Sequence, residues 1–131
     1  MQAAVYRGKN QVRLEEVPVP EIGPGELLVR VHTCGICGTD LKKIATGSHS
    51  APRIFGHETS GTVAAVGPGV TRFRVGDPVV FFHHIPCGNC FYCKRQLYSC
   101  CDNTNPKAYL GEQAFGYQTA GIFGYSHLTG G

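Results

Sequence analysis

"FGHETSGTVAAVGPGV", residues 55–70, decides how this chain is read. Within it TSGTVAAVG has the β-branched content and Gly-bounded length of a strand. The GPG at 67–69 is a turn, too short to be the Gly-rich phosphate loop of a dinucleotide fold. His57, taken alone, reads as a satisfied core or surface histidine. Downstream, the turn-rich GPGVTRFRVGD leads into a second strand, DPVVFFHH, which closes on His83 and His84. These two read as half-buried strand positions, with His84 placed to accept a proton on the solvent side.

From Cys87 the periodicity stops, and CGNCFYCKRQLYSCC (87–101) holds five of the seven cysteines. A stretch without a hydrophobic pattern needs another source of order, and a metal can supply it. Cys87, Cys90 and Cys93 are spaced C-x-x-C-x-x-C, with Cys100 and Cys101 beyond. Two-residue gaps turn successive thiolates back onto one tetrahedral Zn²⁺, and a closed four-sulfur shell is structural. An iron–sulfur cluster is the rival, but its run continues with a further Cys after three residues and a Pro. Disulfides are the third reading, disfavoured by the short gaps and by the compartment. Four ligands suffice, so Cys100 or Cys101 is surplus. Lys94 and Arg95, set among the cysteines as in nucleic-acid zinc modules, are too few to carry that function.

Upstream, residues 2–7 and 12–17 read as short strands around a turn at Gly8–Asn10, and PVPEIGPGE (18–26) as punctuation. ELLVRVHTC alternates as a strand, with Leu28, Arg30 and His32 on one face and Leu27, Val29 and Val31 on the other. CGTDLKKIAT predicts a short helix capped by Thr39 or Asp40. The C-x-x-C of Cys34 and Cys37 reads alone as a redox dithiol or half a zinc site. The spacings exclude little more, because His32, His49 and His127 have no sequence partner and read as surface residues.

The bulk numbers agree with one small, mainly β domain. Eighteen glycines and eight prolines in 131 residues make a loop-rich β signature below the low-complexity range. A net charge of +3 is too mild to argue for nucleic acid or membrane. No apolar run approaches a membrane helix, and the first ten residues have no signal-peptide core. The expectation is a cytoplasmic protein with reduced cysteines.

Four motifs in order, GPGELLVRV (23–31), GICGTD (35–40), G56-H57-E58-x-x-G61-x(5)-G67-x(2)-V70, and the cysteine run, make the chain resemble the zinc-containing alcohol dehydrogenases of the medium-chain dehydrogenase/reductase family. The resemblance covers residues 1 to about 101. It implies a GroES-like, partly open β-barrel with a short helix and a zinc-bound loop lobe. It implies a catalytic zinc held by Cys37 and His57, with Glu58 as a carboxylate that approaches the ion. A regular strand would point His57 and Glu58 to opposite faces, and Gly56 lets the backbone turn so that both reach one site. The resemblance makes Asp40 the carboxylate that orients the ligand imidazole, and Thr39 the hydroxyl that contacts the alcohol and begins the proton relay. Cys34 is then a small buried side chain. It assigns the structural zinc to Cys87, Cys90, Cys93 and Cys101, leaving Cys100 as the spare.

The activity implied is hydride transfer between an alcohol, polyol or aldehyde bound at catalytic zinc and NAD or NADP. The partners implied are that small molecule and further copies in a homodimer or homotetramer, with no nucleic acid and no membrane. In the family the cofactor domain and the third catalytic-zinc ligand lie further along the chain. No G-x-G-x-x-G follows a strand here. Residues 1–131 are therefore expected to be the N-terminal portion of a catalytic domain, inactive alone. Two positions depart from relatives: Lys42 stands where some carry a relay histidine, and Gly38 where some carry a phosphate-contacting arginine. The tail AFGYQTAGIFGYSHLTGG resembles formaldehyde-dehydrogenase-like branches. Two alternatives share the zinc lobe without the chemistry: a stand-alone zinc-binding interaction module and a nucleic-acid-binding zinc module.

Overall fold

The computed structural model describes residues 1–81 and 86–102. His83, His84, His127 and the Gly- and Tyr-rich tail lie outside the described residues. The chain divides into two compact units, Met1–Phe81 and Phe82–Gly131.

The first unit is built from two three-stranded antiparallel sheets and one helix. Strands β1 (Gln2–Gly8), β2 (Gln11–Glu16) and β4 (Arg53–Ile54) form one sheet in the order β2-β1-β4. The β1–β2 hairpin turns at Lys9–Asn10 as its sequence suggests, with Asn10 at φ 56°, a left-handed conformation that Asn tolerates. The Asn10 N–H donates to the Ile44 carbonyl at 2.9 Å, tying this turn to the helix. The pairing of β4 with Val5 and Tyr6 spans two residues, too short to leave a sequence pattern.

Strands β3 (Leu27–Cys34), β5 (Thr59–Val66) and β6 (Pro78–Phe81) form the second sheet, in the order β3-β5-β6. The simple two-faced alternation expected for β3 is broken. Register shifts fall between Leu28 and Val29 and between Val31 and Thr33, and such bulges re-aim the side chains that follow. Gly61 pairs with Val31 on one side and Val79 on the other. A Cβ at Gly61 would run into the Arg30 carbonyl and lie 2.8 Å from Val29 Cγ1, so the motif glycine is required by the close approach of β3.

Helix α1 (Gly38–Thr46) follows β3 directly. Its N-cap is Cys37, in an extended conformation, and not Thr39 or Asp40. Asp40 sits three residues inside the helix, where its Oδ2 accepts the Cys37 N–H at 3.1 Å, half of a capping box. The helix ends on Gly47 at φ 70°, whose N–H donates to Lys43 O at 3.1 Å. The buried residues are few: Val5, Tyr6 and Val63 carry the apolar core of this unit, with Asp40 buried beside them. The Tyr6 ring packs on Phe55 at 5.1 Å between centroids. Among the described residues no helix is long and apolar enough to cross a membrane.

The second unit, over residues 86–102, contains only two short 3-10 turns, Cys93–Arg95 and Tyr98–Cys100. Its buried side chains are Cys93 and Cys101. Arg95 lies over the Phe91 ring at 3.7 Å and donates to the Phe91 carbonyl at 3.1 Å, so one of the two cations among the cysteines is engaged within the lobe.

Candidate metal centres

Two donor clusters stand out. In the first unit Cys37, His57 and Glu58 present Sγ, an imidazole nitrogen and a carboxylate oxygen all within 4.8 Å of one another. Three backbone devices assemble them. Cys37 is held at the N-cap of α1, where the strand-to-helix turn sets its side chain. Gly56, at φ +121°, turns the chain before β5 begins, so His57 and Glu58 leave the alternation of a strand. Phe55 anchors that turn: besides Tyr6 it meets His49 edge-on at 5.6 Å, with Lys43 Nζ 5.3 Å above its ring.

Around His57 the polar groups are ordered. Its Nδ1 lies 3.4 Å from Asp40 Oδ1, and its Nε2 lies 3.4 Å from Thr39 Oγ1. Asp40 is 6% exposed, and its Oδ1 makes no hydrogen bond. A buried carboxylate oxygen aimed at Nδ1 is the arrangement that fixes an imidazole's tautomer and leaves Nε2 for a ligand role. The donor set, one thiol, one imidazole and one carboxylate, fits a divalent zinc ion with room for a further ligand. Cys34, expected to be buried, is exposed; it lies at the end of β3, past the register shift between Val31 and Thr33 that takes the strand off a strict alternation. It still limits the site: a Cβ at Gly56 would lie 2.6 Å from Cys34 Sγ.

In the second unit Cys87, Cys90, Cys93 and Cys101 bring four sulfurs within 4.8 Å of one another. Cys87 Sγ and Cys93 Sγ are 3.9 Å apart, far beyond the ~2.05 Å of a disulfide. That spacing is close to the ~3.8 Å edge of a tetrahedron with 2.3 Å metal–sulfur bonds. Backbone N–H groups already point at sulfur, from Cys93 to Cys90 Sγ at 3.5 Å and from Cys87 to Cys101 Sγ at 3.4 Å. The Cys93 N–H draws the Cys90 thiol below its ordinary range. Burial pushes the Cys93 thiol up to about 12. A bound cation reverses that preference and takes the thiolate form outright. Cys101 is fully buried in the cluster and Cys100 is exposed outside it.

All the sequence-predicted metal residues thus fall into one of the two clusters, with Thr39 and Asp40 on the first. Sequence reasoning quoted Phe55 and Gly35 within motifs but missed their roles: the Phe55 ring meets Tyr6, His49 and Lys43, and the Gly35 backbone N–H donates to the Glu58 carbonyl at 2.8 Å. Neither role has a local signature, since Tyr6 and Phe55, and Gly35 and Glu58, are far apart in the chain.

Comparison with known proteins agrees with this geometry. Residues 23–129 match the alcohol dehydrogenase GroES-like domain. The chain is 45% identical over 104 residues to a sorbitol dehydrogenase of Bombyx mori, covering 76% of this chain and 30% of that protein. It superposes on the alcohol dehydrogenase TADH from Thermus sp. ATN1 with a TM-score of 0.71 and 43% identity, over 77% of this chain and 30% of that one. A cobalt- and zinc-bound thermostable alcohol dehydrogenase from Pyrobaculum aerophilum gives a TM-score of 0.71 at 37% identity, over 77% and 32%. The chain spans about 30% of the length of the curated relatives it matches. With a matching domain over residues 23–129, the chain belongs to the zinc-type alcohol dehydrogenase family, as its GroES-like domain.

Proposed function

We propose that residues 1–131 form the N-terminal part of the catalytic domain of an NAD(P)-dependent zinc alcohol dehydrogenase, acting on a small alcohol, polyol or aldehyde. The observation that carries this is the convergence of Cys37, His57 and Glu58 with Asp40 and Thr39 around one point. Cys37 and His57 hold the catalytic ion, and Glu58 stands by as a third donor. When bound, zinc supplies the Lewis acidity that acidifies an alcohol or polarises a carbonyl.

The remaining steps belong to the chain's own residues. Asp40 holds His57 with Nδ1 toward itself and Nε2 toward the site. Thr39 Oγ1 hydrogen-bonds the substrate hydroxyl, accepts its proton and passes its own toward solvent; Lys42, at the position of a relay histidine in some relatives, is a donor only and does not take that proton. The hydride acceptor is a nicotinamide, which carries the chemistry the side chains cannot. Its domain and the third catalytic-zinc ligand belong to chain beyond residue 131, and the complete enzyme is a homodimer or homotetramer of the cytoplasm. The cysteine-rich lobe holds a second, structural zinc through Cys87, Cys90, Cys93 and Cys101, which keeps its thiolates reduced.

The test is metal content and turnover of the full-length protein. Two zinc ions per subunit are expected, one readily removed by a chelator together with NAD(P)-linked alcohol oxidation. A protein that binds only the cysteine-lobe ion, and reduces neither NAD nor NADP with a panel of alcohols, would instead be a zinc-binding interaction module.

A further inference from the structure

Three glycines lie in or against the Cys37–His57–Glu58 cluster, and each has a different reason to be there. Gly56 is required by its φ of +121° and by Cys34 Sγ. At Gly38 a Cβ would meet nothing within 4 Å. Gly35 lies outside the left-handed region, so its backbone conformation does not itself demand glycine. What excludes a side chain there is Glu58: a Cβ on Gly35 would overlap Glu58 Oε2 and lie 3.1 Å from Glu58 Cβ and 3.5 Å from its Cδ. The two residues are also joined through the Gly35 N–H and the Glu58 carbonyl at 2.8 Å. The backbones therefore cannot part to make room without losing a hydrogen bond.

We infer that Gly35 is a positioning residue for Glu58: the bare face of Gly35 is the seat on which the glutamate folds back, and it keeps the carboxylate within reach of Cys37 and His57. Glu58 is exposed, so its carboxylate has an alternative, which is to swing into water. A methyl group on Gly35 takes that seat. The carboxylate end of this flexible side chain must leave and Glu58 Cβ, at 3.1 Å, must give by a few tenths of an ångström, so the displacement falls on Glu58 and the third donor is lost from the cluster. This inference rests on reading Cys37, His57 and Glu58 as metal donors, and it adds that the GICGTD motif holds the donor set through Gly35 as well as through its cysteine.

The test is affinity for Zn²⁺ at the labile site of the full-length protein, measured by competition with a chromophoric chelator, and the absorption of the Co²⁺-loaded form. Gly35→Ala is expected to weaken the labile ion by roughly tenfold, the scale of a lost supporting contact, and to alter the Co²⁺ ligand-field bands. Glu58→Ala should weaken it to the same degree, and Gly35→Ala in that background should add nothing. Gly38→Ala should bind as wild type, and urea midpoints of the metal-stripped Gly35→Ala and wild-type proteins should differ by no more than a small local repacking cost. A Gly35→Ala protein that holds the ion like wild type overturns the inference, and so does an undiminished loss in the Glu58→Ala background. If the wild-type protein itself has no labile ion, the metal reading falls first and the inference with it.

Discussion

A single side chain decides which of two adjacent cysteines belongs to the zinc lobe. Cys101 is buried among Cys87, Cys90 and Cys93, while Cys100 points to solvent. Cys101→Ser is expected to lose the structural zinc and Cys100→Ser to retain it, as read by zinc remaining after gel filtration; the reverse result would mean that the ligand register is wrong. His49 gives a second residue-scale expectation. It is half-buried against Phe55, with Lys43 from α1 and Arg53 from β4 nearby and Ser48 Oγ 3.0 Å from its Nδ1. Burial first, then those two cations, hold its imidazole below the ordinary value. The folded chain therefore binds fewer protons here than the unfolded chain. Its contribution to stability is complete above the unfolded pKa of about 6.5 and is lost as pH falls from there through the lowered folded value. His49→Gln should flatten that part of the stability–pH curve in urea titrations, and an unchanged acid limb would exclude His49 as its source. The sequence contained no hint of this, because His49 looks like any surface histidine until Phe55, Lys43 and Arg53 are brought around it.

At the scale of elements, the site depends on how β3 and β5 are allowed to approach. Gly61 is the point of nearest contact, with the Arg30 carbonyl where a methyl would have to go. Gly61→Ala is expected to destabilise the fold by about 1–3 kcal/mol, as overpacking does. The loss should appear as a lower urea midpoint with the labile metal site weakened in parallel, because β3 delivers Cys37 and β5 follows His57 and Glu58. A variant as stable as wild type would show that the strands can part there without cost. Most elements were legible beforehand. The β1–β2 hairpin, β3, α1, β5 and β6 each follow from local alternation, turn residues or helical spacing. The cap of α1 was not, since Thr39 and Asp40 are better capping types than Cys37. The bulges of β3 take that strand off a strict period of two, and β4 is only two residues long; neither leaves a periodic signal.

For the whole molecule, the two units hold their order by different means. The first has Val5, Tyr6 and Val63 as its apolar core, whereas the second, over its described residues, buries only Cys93 and Cys101. A strong chelator should therefore erase the fixed structure of residues 86–102 while leaving the strands of residues 1–81 protected, as read by residue-resolved hydrogen exchange. Equal protection of both units after zinc removal would show that the lobe needs no metal. The sequence by itself determined the family, the mainly β class and which side chains meet in the two donor clusters. Those depend on residue identity and on motifs in a fixed order, of which the two-residue gaps of Cys87, Cys90 and Cys93 are the part that local geometry alone converts into a ligand knuckle. Only the tertiary structure decided that Asp40 faces His57 Nδ1, that Cys34 is exposed and that Gly35 is the seat of Glu58. Each of those joins or exposes groups through contacts 17 or more residues apart. Such contacts are set by strand register and by the approach of one backbone to another, and short-range periodicity carries no record of either.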